Sequence, residues 1–143
     1  INLLVDIAKK YPKDKFFVIG KSNDPKIIED FTTNISYISE IERTKVLHYI
    51  KKSKGLINTS IEEGMSDSIL SAMGLGCPIY AKNNSGNASI IDNLKTGFLF
   101  NTIDELEELF QIKTDDIILS AKNYIHNNHS FSDKYWKYQK LFS

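Results

Sequence analysis

The sequence predicts an α/β fold in which short parallel strands form one sheet with helices on both faces. Three observations carry that expectation. Short apolar runs alternate with amphipathic helical stretches over about 100 residues, the pattern of repeated strand–helix–strand units. Phe16 to Ile19 is wholly apolar and closed by Gly20, which is how a strand buried on both faces reads. The junctions carry the right punctuation: Asp24-Pro25 for a helix start, Gly76 followed by Pro78 for a helix stop, and Thr96-Gly97 for a turn. Right-handed crossovers then place helices on both sides of the sheet.

The elements follow in order. Ile1, Leu4, Ala8 and Tyr11 recur at helical spacing, and Pro12 helps end that helix. After the strand at Phe16–Ile19, Asp24 is expected to cap a helix running to about Phe31. Ile35–Ile38 is a second β-rich run. Glu42–Ser53 reads as a helix with Val46, Leu47, Tyr49 and Ile50 on its apolar side, and Gly55–Asn58 as the next strand. A loop from Thr59 to Met65 leads to a helix over Ser66–Leu75, with Gly76 as a left-handed C-cap. Pro78–Ala81 is a strand, Lys82–Gly86 a polar loop, and Asn87 is expected to cap a short helix to about Asn93. Phe98–Phe100 is the last strand. C-terminal helices complete the chain: Asp104–Phe110, one capped by Thr114 with Ile117, Ile118, Ala121, Tyr124 and Ile125, and one capped by Ser132 with Tyr135, Trp136, Tyr138 and Phe142. The whole is a Rossmann-like α/β domain.

Composition narrows the function. The chain has 143 residues, enough for one ordinary domain, and 41% are hydrophobic, so a core can be buried. Eighteen basic and 18 acidic residues cancel; that balance argues against disorder and against a nucleic-acid partner. No apolar run is long enough to span a membrane. A single cysteine, Cys77, excludes an internal disulfide and a Cys-rich zinc site. The chain begins at Ile1 inside a helical pattern, so it is expected to be a piece of a longer protein. A cytoplasmic location, free or at the inner face of a membrane, is the expectation.

Open α/β sheets bind ligands at the carboxyl ends of their strands. Two loops there stand out. Ser60-Ile61-Glu62-Glu63-Gly64-Met65-Ser66-Asp67-Ser68 offers carboxylates, a glycine and a helix N-terminus whose free N–H groups attract anions. Asn83-Asn84-Ser85-Gly86-Asn87 offers a glycine that admits close backbone approach. Each loop alone reads more readily as a capped turn; their occurrence in successive strand–helix units is what points to a ligand. Neither a Gly-x-Gly-x-x-Gly fingerprint nor a Gly-Lys-Ser/Thr phosphate loop is present, which moves dinucleotide enzymes and P-loop NTPases down the order.

These residues also carry a resemblance. Glu63-Gly64-Met65 followed by Ala72-Met73 and Gly76-x-Pro78-Ile79 resembles the Glu-Gly-Phe-Gly … Glu-Ala-Met … Gly-x-Pro-Val block of GT-B glycosyltransferases of the retaining family 4 type, in their C-terminal, donor-binding domain. Gly86 with Ile90-Ile91 resembles the family's glycine loop and following helix, and Thr96-Gly97-Phe98-Leu99 its Thr-Gly-Leu-Leu strand. The variant Glu-Gly-Met-Ser with Gly-Asn-Ala is nearest the glycosyltransferase 1 domain-containing subgroup. The resemblance implies one half of a GT-B fold that grips a nucleotide-sugar, with the N-terminal, acceptor-binding domain elsewhere in the same protein. It assigns Glu63 as the catalytic sugar-contacting carboxylate. Gly64, Met65, Ser66 and Asp67 would bind the donor through the loop and helix amides, Gly86 and Asn87 through the glycine loop, and Ser39 and Glu40 at the base. It implies no cofactor and no metal, because protein groups neutralise the diphosphate.

The sequence departs from the pattern in two places. The second carboxylate of the family's Glu-x7-Glu pair, which holds the ribose, is replaced by Ser71, expected to face the cleft from the second turn of its helix. Ala88-Ser89 stands where the family often has Pro-Glu. The family's phosphate-binding Arg and Lys would lie upstream of Ile1. A degenerate, non-catalytic interaction or structural module therefore remains an alternative to a sugar transferase. The other polar candidates read as ordinary. His48 belongs at a solvated helix edge, His126 and His129 lack a third ligand, and Cys77 is a small buried thiol. The Asp104–Glu108 run is a solvated helix face, and Trp136 is a packing residue.

Overall fold

The computed structural model describes residues 2–22, 24–60 and 66–128. It is an α/β structure with parallel sheets flanked by helices, and it divides into two compact units, residues 1–46 and 47–143. The strands accordingly fall into two sheets rather than the single sheet expected.

The first unit holds α1 (Asn2–Lys10), β1 (Phe16–Ile19) and β2 (Ile35–Ile38). β1 and β2 pair in parallel from Phe16 opposite Ile35 to Ile19 opposite Ile38. Val5 and Ala8 of α1 pack with Ile35, Phe16, Val18 and Phe31. Successive strand side chains point to opposite faces, so Phe17 is turned away from this cluster. It is 42% exposed, with the Lys15 Nζ lying 5.6 Å from its ring centroid. The strand is therefore covered on one side and not wholly buried. Asn34 closes the α1 end: its Nδ2 donates to the carbonyls of Ala8, Tyr11 and Asp14 at 3.0–3.1 Å.

Asp24 caps as expected, its carboxylate accepting the Lys26 N–H at 2.9 Å. The element that follows is only a short 3-10 helix, Pro25–Ile28. Its backbone bonds span three residues, as in Ile27 N–H to the Asp24 carbonyl. The segment has too few turns to repay the nucleation of an α-helix.

The boundary between the units lies inside α2 (Arg43–Lys52). The second unit continues with β3 (Leu56–Asn58), α3 (Asp67–Leu75), β4 (Ile79–Lys82), α4 (Ser85–Ile90), β5 (Phe98–Phe100), α5 (Ile103–Leu109) and α6 (Asp115–Asn128). Its sheet has the order β3-β4-β5, parallel throughout, with Leu56 opposite Ile79 and Tyr80 opposite Phe98. Phe98 and Phe100 are fully buried, and Tyr80 stacks on Phe98 with ring centroids 5.0 Å apart.

α3 is apolar nearly all round: every residue from Ile69 to Leu75 is buried. Such a helix is an interior element, and α6 packs across it. Gly76 ends it in the left-handed region, at φ 74°, and its N–H bonds back to the Met73 carbonyl. A Cβ at Gly76 would come within 3.3 Å of Ile118 on α6, so glycine serves both the backbone and the packing. α5 begins with a variant of the capping box, its carboxylate reaching one residue beyond the N-cap. The Thr102 hydroxyl accepts the Glu105 N–H, while the Glu105 carboxylate reaches back to the Asn101 N–H at 2.7 Å. The helix predicted after Ser132, with Tyr135, Trp136 and Tyr138, lies outside the described residues.

Cys77 is 4% exposed, and loss of solvent pushes its thiol up to about 12, against a partly offsetting hydrogen bond from the Leu56 backbone. The folded state therefore holds this proton more tightly than the unfolded chain, whose thiol titrates near its ordinary value. That stabilisation is complete below about pH 9 and is lost as pH rises towards 12. Tyr80, also raised by burial and by the neighbouring Cys77, adds to the loss in the same direction. Melting curves from pH 7 to 10 should show Cys77→Ala losing less stability across the range than wild type. Parallel curves would mean that the thiol titrates alike in the folded and unfolded states, so that burial does not raise it.

Candidate functional site

The second unit gathers its polar side chains where the strands end. β3 stops at Asn58 and β4 at Lys82, and both strands run in the same direction. The loops that leave them are joined by side-chain amides. The Asn58 carboxamide oxygen accepts the Ser60 N–H at 3.0 Å. Asn84 donates through Nδ2 to the Ser60 carbonyl at 2.9 Å. Asn87 donates through its Nδ2 to the Lys82 carbonyl at 2.8 Å and to Asn58 Oδ1 at 3.5 Å. The Asn83 N–H bonds to the Phe100 carbonyl at 2.9 Å, and the Lys82 ammonium to the Asn101 carbonyl, which draws the end of β5 into the same cluster.

Asn84, rather than Asn87, caps α4. It is extended, at φ −138° and ψ 169°, and its Oδ1 accepts the Asn87 N–H at 2.8 Å. The helix thus begins about one turn earlier than expected, and Gly86 lies in its first turn. Asn87 follows inside the helix, fully buried, with its own Oδ1 lacking a hydrogen-bond partner among the described residues.

α3 opens on Ser66, whose hydroxyl accepts the Ile69 N–H at 3.4 Å, and Asp67 occupies the exposed first turn. Glu63, Gly64 and Met65 lie outside the described residues. Ser71 does not face a cleft: it is 2% exposed, because α3 is buried all round at this level. A Glu there would force a carboxylate into the interior. Ser71→Glu is accordingly expected to cost about 2 kcal/mol or more of stability by thermal melting; unchanged melting would show that the side chain can escape to water. Ser39 and Glu40 are exposed beyond the end of β2, in the first unit.

Of the expected site residues, Ser66, Asp67, Gly86 and Asn87 therefore follow the ends of neighbouring strands. Asn58, Ser60 and Asn84 hold those ends together; the sequence puts Ser60 and Asn84 in the two candidate loops without giving either a role, and does not mark Asn58 as a site residue. An asparagine closing a strand and another in a polar turn give only a faint signal, because the bonds between them join residues far apart in the chain. His48 and His126 are exposed. Among the described residues no three His, Cys, Asp or Glu side chains cluster as a metal site requires, and no helix is long and apolar enough to cross a membrane.

The family described as glycosyl transferases group 1 matches residues 1–112, well over half of the chain. The chain belongs to the glycosyl transferases group 1 family.

Within that family it is 33% identical over 145 aligned residues to the glycosyltransferase 1 domain-containing protein 1 of Xenopus tropicalis, covering 93% of this chain. The chain spans less than half of that relative's length, 42%. Its fold matches that of GT-B glycosyltransferase domains. TarM superposes with a TM-score of 0.70 at 24% identity, over 100% of this chain and 32% of TarM. The C-terminal domain of the glycosyl transferase group 1 protein LpcC from Francisella tularensis gives 0.69 at 18% identity, over 89% of this chain and 75% of that one. HepE of Anabaena, solved in complex with UDP-glucose, gives 0.68 at 14% identity, over 98% of this group 1 chain and 43% of HepE.

Proposed function

We propose that this chain is the donor-binding half of a retaining, metal-independent glycosyltransferase that moves a sugar from a nucleoside diphosphate to an acceptor. The observation that carries the reading is positional. In a chain matched to the family over residues 1–112, the segments carrying Glu63-Gly64-Met65 and Gly86 follow β3 and β4 in sequence, at the strand ends where an open parallel sheet binds its ligand. Amides at the start of α3, next to Ser66 and Asp67, would meet the diphosphate, and Gly86 would admit it closely. Their value lies in being fixed before charge develops on the leaving group. Glu63 would contact the sugar, and Ser39 and Glu40 the base. The acceptor would be held by an N-terminal domain of the same protein, and the cytoplasm is where nucleotide-sugars would reach it.

UDP-glucose, the ligand solved with HepE, is the first donor to try. Titration of the full-length protein with UDP, GDP and UDP-glucose tests the reading, which requires saturable binding of at least one of them. One observation favours a second reading, a non-catalytic interaction module: buried Ser71 offers ribose no carboxylate. Such a module would bind none of the three.

A further inference from the structure

One side-chain amide serves two loops. The Asn84 Oδ1 caps α4 through the Asn87 N–H, and the Asn84 Nδ2 crosses to the Ser60 carbonyl after β3. The other side of Ser60 is held as well, its N–H bonded to Asn58, which in turn receives a long contact from buried Asn87. The backbone of Ser60 is thus gripped at both its N–H and its C=O where the chain leaves the sheet. A cap alone does not need this arrangement. Asp and Ser cap helices about as well as Asn, but neither has an amide N–H₂ to span to a second loop. Only asparagine at position 84 provides both bonds.

We infer that Asn84 is a positioning residue for donor binding. It fixes Ser60, where the chain leaves β3, against the start of α4, which follows β4, so that the two strand ends offer one nucleotide-sugar a binding place that needs no reordering. This rests on the donor-binding reading above. A ligand gripped from two loops loses affinity when either is free to shift, and misplacement by about 1 Å can cost as much as a hundred-fold in rate.

The test uses the full-length protein, titrated with UDP and UDP-glucose and melted without ligand. Asn84→Ser and Asn84→Asp keep the cap and lose the bridge; Asn84→Ala loses both. Asn84→Ser and Asn84→Asp are expected to melt closer to wild type than Asn84→Ala does, and to bind both ligands about ten-fold more weakly or worse. Asn84→Ala should melt lower and bind no more weakly than Asn84→Ser. If the two cap-retaining variants bind as wild type does, the inference is overturned while the donor reading stands. If affinity falls only in Asn84→Ala, in step with melting, the residue is a cap and nothing more. If wild type itself binds neither ligand, the donor reading fails, and the inference with it.

Discussion

Glu63→Gln in the full-length protein is expected to lower kcat/KM about ten- to a hundred-fold, equivalent to roughly 1.5–3 kcal/mol of transition-state stabilisation. That is what hydrogen bonds from sugar hydroxyls to a charged acceptor contribute when the acceptor becomes neutral. Binding of the bare nucleoside diphosphate, which carries no sugar, should barely change. Glu62→Gln is the internal control, with the same charge one residue away, and should be nearly silent. The competing role for Glu63 is a structural carboxylate bonded to the N–H groups of its own loop. In that case the variant should melt lower and weaken UDP and UDP-glucose alike. Titration with both ligands beside thermal melting separates the two roles, and equal loss for both would end the assignment of a sugar contact.

The second large effect is on stability. Asn87→Asp is expected to destabilise the fold by about 3–5 kcal/mol at neutral pH, the range for a charge left buried without a partner. The native amide donates to the Lys82 carbonyl and towards Asn58 Oδ1 from a fully buried site. A carboxylate of the same shape has no proton to give and would face two oxygens. Its folded-state pKa would rise above the unfolded value, so the variant is favoured by acid and penalised as pH rises. The melting gap between wild type and variant should therefore be larger at pH 7 than at pH 4, where a protonated acid could donate to Lys82. An equal gap at both pH values would show that position 87 is not enclosed by those acceptors.

Local chemistry was legible where one residue type decides the conformation. Gly76 with Pro78 beyond it named a left-handed C-cap, and Ser66 named the start of α3. The short apolar strands were also readable, since Phe16–Ile19, Ile35–Ile38 and Phe98–Phe100 have no alternative as helices of useful length. Asn87 was misplaced because Asn83, Asn84, Ser85 and Asn87 are all competent caps; what selects Asn84 is a bond to Ser60, 24 residues away. Ser71 was misread for a related reason. Helical periodicity assigns a face, but α3 is enclosed on every face at that level. The candidate site was legible as loops, through motif spacing, and illegible as a network.

The sheet register also bears on how the chain reaches this structure. Every ladder is parallel, so each joins residues about twenty positions apart, as with Phe16 and Ile35 or Leu56 and Ile79. The strands are only three or four residues long. Each ladder must therefore close a sizeable loop before it gains a handful of hydrogen bonds, which makes a single isolated pairing a poor nucleus. The elements able to form first are the helices, whose own hydrogen bonds are local, although the contact between α3 and α6 closes a longer loop than any ladder does. Strand pairing would then come late and together, leaving β3 and β4, whose ends carry the candidate site, among the last segments to become ordered during folding.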